Sequence, residues 1–326
     1  MKNTSLHVLA PSLLCVFYPS FAHAQGALTP PGAPAPTMKT LAQIEARTPV
    51  SSAPFTISSS GSYYLTTNLT VTAGNAITIN GNNVRLDLNG FTISSTENPA
   101  TSGSGILLGS GGVTNITIVN GFISSGVVDN NGVFSGTGFG SGISGTNSFN
   151  ARAEGISVAG CRINGIVLGN GFSFNNTLVE SCTVNLVGSS GIISTVVNDS
   201  TAINCGGTAI ASFTVNNCYG TSLSLDGVTC ISAINCYGAS GSTGLGLAAN
   251  TASNCAGTSN GGVGLTASVA NNCVGSDNAN GTGVSATIAI GCDGYSSHGT
   301  GLSATIANSC ASNSGDSGIT YKYNMP

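Results

Sequence analysis

The chain has 326 residues with 7 basic and 11 acidic side chains, a net charge of −4 and only 6% charged residues. So few Lys and Arg, spread so thinly, exclude a basic surface for nucleic acid. The 47 glycines and absent Trp resemble low complexity, but 40% hydrophobic residues at regular spacing mark a chain that folds.

Residues 1–24 carry Lys2, an apolar run from Val8 to Phe17, and Ala22-His23-Ala24 before Gln25. This reads as a secretory signal peptide cleaved near Ala24. Cys15 follows Leu14 rather than a small residue, so no lipoprotein anchor is expected. No later apolar run is long enough to cross a bilayer, and no transmembrane segment is expected. The mature protein is therefore expected outside the cytoplasmic membrane, secreted or periplasmic. Residues 25–37, with Pro30, Pro31, Pro34 and Pro36, read as an extended linker. In residues 38–54, Met38, Leu41 and Ile44 predict a short amphipathic helix stopped by Pro49, which would cap the open first coil of a solenoid.

Residues 55–320 are built from short strands and corners, and residues 321–326 are read as a C-terminal tail. Leu69-Thr70-Val71, Ile77-Thr78-Ile79, Val84-Arg85-Leu86-Asp87-Leu88 and Ile116-Thr117-Ile118 alternate or are β-branched. Asn89-Gly90-Phe91 and Asn120-Gly121-Phe122 follow such strands, and the glycine-rich stretch from Gly126 to Asn150 is expected to bulge out as a loop. Further on the chain repeats. Aliphatic residues at Ile192, Ile210, Val228, Leu247, Leu265, Val284 and Leu302 recur every 18 or 19 positions, with Ile319 closing the row. Cys236, Cys255, Cys273, Cys292 and Cys310 keep the same step. A fixed short period marks a solenoid. Alternation in Leu265-Thr266-Ala267-Ser268-Val269 makes each unit a strand, and the Asn, Gly and Ser between strands make corners. The predicted fold is all-β, a single-stranded right-handed parallel β-helix with a short N-terminal capping helix.

The run Gly61-Ser62-Tyr63-Tyr64-Leu65-Thr66-Thr67-Asn68-Leu69-Thr70-Val71, with Val84-Arg85-Leu86-Asp87-Leu88-Asn89-Gly90-Phe91 and Asn115-Ile116-Thr117-Ile118, resembles secreted bacterial β-helix proteins of the pectate-lyase-like superfamily. The resemblance covers about residues 55–320. It implies the β-helix fold and a superfamily that holds lyases, glycosidases and adhesins. The calcium-binding Asp cluster with its neighbouring base in pectate lyases has no counterpart here, nor do the polygalacturonase motifs, apart from the fragment Ser297-His298-Gly299.

The cysteines have two readings. A secreted chain favours disulfides, yet Cys side chains stacked coil on coil point in parallel, with Cβ atoms too far apart to bridge. A column of reduced, packed thiols is the expectation, in which Cys273→Ser costs about 1–3 kcal/mol if its hydroxyl finds no partner, and Cys273→Ala less. No C-x2-C pair occurs and one His survives maturation, so no metal site and no cofactor is expected. Asn204, Asn217, Asn235, Asn254 and Asn272 each precede a cysteine and predict one stacked amide ladder.

Two charged sets are candidate sites. Arg152, Glu154, Arg162 and Glu180 are candidate substrate-binding residues, suited to a sugar acid or to pairing among themselves. His298 and Asp316 lie six residues past successive cysteines, which predicts a shared column, with Asp293 and Asp277 on neighbouring corners; His298, Asp316 and Asp293 are the catalytic candidates, since a carboxylate beside an imidazole tunes proton transfer. Paired hydroxyls at Thr266/Ser268, Ser285/Thr287 and Ser303/Thr305 form a third, uncharged array. The function expected is a secreted or surface-associated recognition or structural protein. Its expected partner is an extracellular polysaccharide or another cell-surface component. The alternative is a polysaccharide lyase or glycoside hydrolase.

Overall fold

Each coil consists of three short strands separated by corners, and the strands of successive coils pair in parallel to make three ladders. The computed structural model describes residues 46–325, apart from 171, 173 and 174. The signal, the linker and most of the expected capping helix lie outside the described residues. The described residues belong to one compact unit, Ala46–Pro326, with no helix among them. This is a parallel β-helix.

The first ladder runs in register through Ile77, Ile106, Ile143, Ile166, Ile192, Ile210, Val228, Leu247, Leu265, Val284 and Leu302. The aliphatic row read from the sequence is thus a true column pointing inward, and its members from Ile192 to Leu302 are fully buried. The row ends differently from expectation. Leu302 pairs with Asp316, not Ile319; the last turn is short, and Ile319 packs against the core from one side.

The second ladder starts at Thr48–Val50, which pairs with Tyr63–Leu65. The β-sheet therefore begins inside the stretch expected to cap it. It ends at Tyr321–Tyr323, paired with Ile306–Asn308, so residues expected to form a tail complete the last coil. Apart from an early Ala153, its inward column shrinks along the chain, from Leu86 and Ile118 through Val179, Val197 and Val215 to Ala233, Ala252, Ala270, Ala289 and Ala307. Short aliphatics late in the chain match coils of only 18 or 19 residues.

The third ladder narrows further. Its inward positions pass from Ile93, Ile123, Val158 and Val184 to Gly220, Gly238, Gly257, Gly275 and Gly294. Opposite stand Gly227, Gly246, Gly264, Gly283 and Gly301, which begin the first ladder. A Cβ on Gly257 would overlap the carbonyl of Gly264, and the same holds for Gly275 against Gly283 and Gly294 against Gly301. The two sheets meet backbone to backbone here, and no other residue fits.

Extra length in the early coils is placed at corners. Residues 126–137, inside the expected bulge, form the antiparallel hairpin Gly126–Asn130 and Val133–Thr137. Phe134 of this hairpin lies over Gly188 and Gly206 of later coils. The strands Ser141–Gly145 and Phe149–Cys161 then rejoin the ladders.

Candidate functional site

One corner organises the surface of the C-terminal half. Between the second and third ladders every coil from that of Leu86 onward passes through a left-handed residue: Asn89, Asn120 (φ 59°), Gly155, Ser181, Asp199, Asn217, Asn235, Asn254 (φ 53°), Asn272, Gly291, Ser309 and Asn324. A side chain there is strained unless it is small and polar, and Asn tolerates this region best. The residue after it turns inward. From Ser181 to Ser309 that residue is Cys182, Ser200, Cys218, Cys236, Cys255, Cys273, Cys292 or Cys310, all buried.

This explains the Asn-Cys pairs and divides them. The amides of Asn217, Asn235, Asn254 and Asn272 form a ladder, each Nδ2 donating to the Oδ1 one coil back at 3.1–3.5 Å, beginning on Asp199. Asn204 does not belong to it. Asn204 sits on another corner above Asn185, to which it donates at 2.9 Å, and Cys205 aligns with Val187 and Ser222.

The ten cysteines from Cys161 onward are free and buried. Each corner thiol donates to the carbonyl two residues before it, as Cys236 does to Ile234 O (3.1 Å), Cys255 to Ser253 O (3.2 Å) and Cys273 to Asn271 O (3.3 Å). Ser200 makes the same bond to Asn198 O at 2.7 Å. The thiol thus closes the turn as well as filling the core. A hydroxyl at this place has a partner, so the cost expected of an unpartnered serine at 273 does not arise. Burial pushes Cys161, Cys205, Cys218 and Cys230 up to about 12 and Cys182 to about 11. Hydrogen bonds between neighbouring thiols raise Cys255 and Cys292 and lower Cys236 and Cys273.

On the outer side of this corner lies an open groove of about 630 Å³. The Asn ladder forms one wall. The other is the first outward column of the third ladder, Tyr219, Tyr237, Ala256 and Val274, in register on four coils. Tyr219 and Tyr237 stack with ring centroids 4.8 Å apart and planes at 12°. Tyr237 Oη lies 3.3 Å from Thr258 Oγ1. Sequence reasoning passed over these tyrosines. The signal for them was Asn-Cys-Tyr-Gly, repeated 18 residues apart at 217–220 and 235–238.

The charged candidates fall elsewhere. Arg152 bonds Glu180 at 2.7 Å and lies 3.9 Å from Glu154, all three on the outer face of the second ladder. Arg162 stands apart on the corner after Cys161, where its backbone N–H donates to Phe139 O. The mid-chain set is therefore three residues paired among themselves, plus one outside. His298 sits on the corner between the third and first ladders, its N–H donating to Ala279 O. Asp316 aligns with Leu302 and bonds Lys322 at 3.1 Å. The six-residue offset fails to align His298 with Asp316 because the final turn is shorter than those before it. Asp293 is exposed beside Val274, one coil beyond the groove wall. The hydroxyl array splits: Thr266, Ser285 and Ser303 are half-buried in one column, while Ser268, Thr287 and Thr305 lie exposed beyond it. Among the described residues, no group of three or more His, Cys, Asp or Glu is placed to hold a metal ion. Nor is any helix there long and apolar enough to cross a membrane.

Asp277, expected on a corner, lies instead in a strand, fully buried in a column of Ser222, Ser240, Ser259 and Ser296. Its Oδ2 accepts from the N–H groups of Ala279 (2.8 Å) and Gly281 (2.7 Å). Its Oδ1 has no partner.

No protein-family model matches this chain, and no curated protein matches it. Among solved structures, ORF18 of Geobacillus virus E2 aligns over 82% of this chain at 14% identity and a TM-score of 0.31. The chain spans 52% of that protein's length. A likeness at that score says nothing about function.

Proposed function

We propose that this is a secreted or surface-associated recognition protein of the pectate-lyase-like superfamily, which binds carbohydrate without cleaving it. The observation that supports this reading is the groove itself. It is open along four coils, and neutral amides and aromatic rings line it. Four of the charged candidates pair away from this groove, Arg152 with Glu180 and Glu154, and Asp316 with Lys322. Calcium-dependent lyase chemistry needs several carboxylates around a hard cation and a base nearby. Between Arg162 and Lys322 the sequence has no Lys or Arg to take that role.

The test is a glycan array probed with mature protein, run beside a polygalacturonate assay with calcium that follows unsaturated product by ultraviolet absorbance. Binding on the array with no absorbance rise is expected. A rise abolished by Glu180→Gln or Arg162→Ala would assign the chain to the lyases instead. Secretion is tested by intact mass: the exported protein should begin at or near Gln25, and retention of Met1 would contradict it.

A further inference from the structure

We infer that the notch over Ala256 holds one ring of a neutral polysaccharide laid along the coil axis; this rests on the recognition reading above. Tyr219 and Tyr237 stack from coil to coil, so each ring turns a face toward a neighbouring coil, and the Tyr237 hydroxyl leans toward Thr258 of the next one. One face of Tyr237 is taken by Tyr219. The other looks toward Ala256, the next member of the column, whose side chain ends at Cβ. Val274, 48% exposed, closes the far side one coil later. Two strand spacings separate Tyr237 from Val274, about 9–10 Å. That leaves room for one ring between two contacts of ~3.5–4.0 Å.

The opposite wall selects the kind of ring. Each ladder amide has two N–H donors and an oxygen with two lone pairs. Asn235 and Asn254 each spend one donor and one lone pair on the ladder, so one of each stays available at every coil. A sugar ring offers C–H faces to Tyr237 and Val274 and hydroxyl edges to the amides. A flat aromatic ligand has the faces but not the hydroxyls. The amides recur with the coils, so a ligand that repeats along its length gains at each one, which favours a polymer over a single sugar.

Charge sets the class of polymer. Arg162 and Lys322 bracket a stretch with no basic residue, and the exposed Asp293 continues the groove wall past Val274. A uronate, sulfate or phosphate group would meet a carboxylate and no cation, so the ligand is neutral.

The experiment is native electrophoresis of mature protein in gels cast with a mixed-linkage β-glucan, a galactomannan, a dextran or polygalacturonate. Wild type is compared with Ala256→Leu, which fills the notch without changing charge, and with Tyr237→Ala. At least one neutral polymer should retard the wild type, polygalacturonate should not, and each variant should need about tenfold more polymer for the same retardation. Unchanged retardation of both folded variants would overturn the site while leaving the recognition reading standing. Retardation by polygalacturonate alone would overturn the neutral ligand. No retardation by any of the four would overturn both the site and the reading. A melting curve for each variant identifies a folding failure, and if Tyr237→Ala unfolds, Ala256→Leu carries the comparison.

Discussion

At Cys273 the thiol fills the core and donates to Asn271 O at 3.3 Å, and Ser200 shows that a hydroxyl makes the same bond at the same corner of an earlier coil. Cys273→Ser should therefore stay within about 1 kcal/mol of wild type, while Cys273→Ala loses both the bond and volume and should cost about 1–2 kcal/mol. Denaturant midpoints of the two variants check the order; serine less stable than alanine would refute it. Asp277 is the converse case. Ser259 donates to Gly244 O at 2.8 Å and Ser296 to Gly281 O at 3.0 Å, whereas Asp277 Oδ1 is buried without a partner. Asp277→Ser should raise stability by about 1–2 kcal/mol, read from the same midpoints. The cysteine step of 18 or 19 was legible in the sequence. The bond each thiol makes was not, because it depends on the left-handed residue before it reversing the chain.

Among the elements, the left-handed corner and the facing glycines dictate what the late coils can be. Asn254→Gly keeps the backbone conformation and loses the amide, while Asn254→Ala also takes the strain of a positive φ, about 1–2 kcal/mol. Asn254→Ala should therefore unfold at lower denaturant than Asn254→Gly. Gly257→Ala drives a Cβ into the carbonyl of Gly264 and should cost about 3 kcal/mol, as overpacking does where only backbone can move. Gly261→Ala, at a roomier corner where the nearest atom to a Cβ is Thr243 Cγ2 at 3.5 Å, should change stability far less. Strand alternation and period were enough to predict the ladders. Among the earlier cysteines, Cys161 and Cys205 share one column and Cys182 begins another. Spacing reports the sum of three strands and three corners. A longer or shorter loop at one corner shifts every column after it, and the short last corner is why His298 and Asp316 do not align.

Across the whole molecule, the buried thiols link stability to alkaline pH. Unfolded thiols ionise near 9, while Cys161, Cys205, Cys218 and Cys230 are pushed up to about 12 in the fold. Between these values the unfolded chain binds fewer protons than the folded one. Stability is thus intact below about pH 9 and falls as pH rises toward 12, by up to about 1.4 kcal/mol per pH unit for each thiol. Melting temperatures with reductant from pH 8 to 11 should show this fall, with a shallower slope in Cys230→Ala. The solenoid was legible from its period, but the groove was not. Its walls lie four coils deep along columns whose members are 18 or 19 residues apart, so Tyr237 and Val274 become neighbours across Ala256 only when the coils stack.

Recognition without turnover is the central claim, and the molar mass of a bound polymer tests it most directly. Mature protein is incubated with the neutral polymer that retards it, and with polygalacturonate and calcium, and each mixture is resolved by size-exclusion chromatography with light scattering. The account predicts protein eluting with the neutral polymer and no loss of mass in either polysaccharide after prolonged incubation. A fall in the mass of either polymer that depends on folded protein would contradict it.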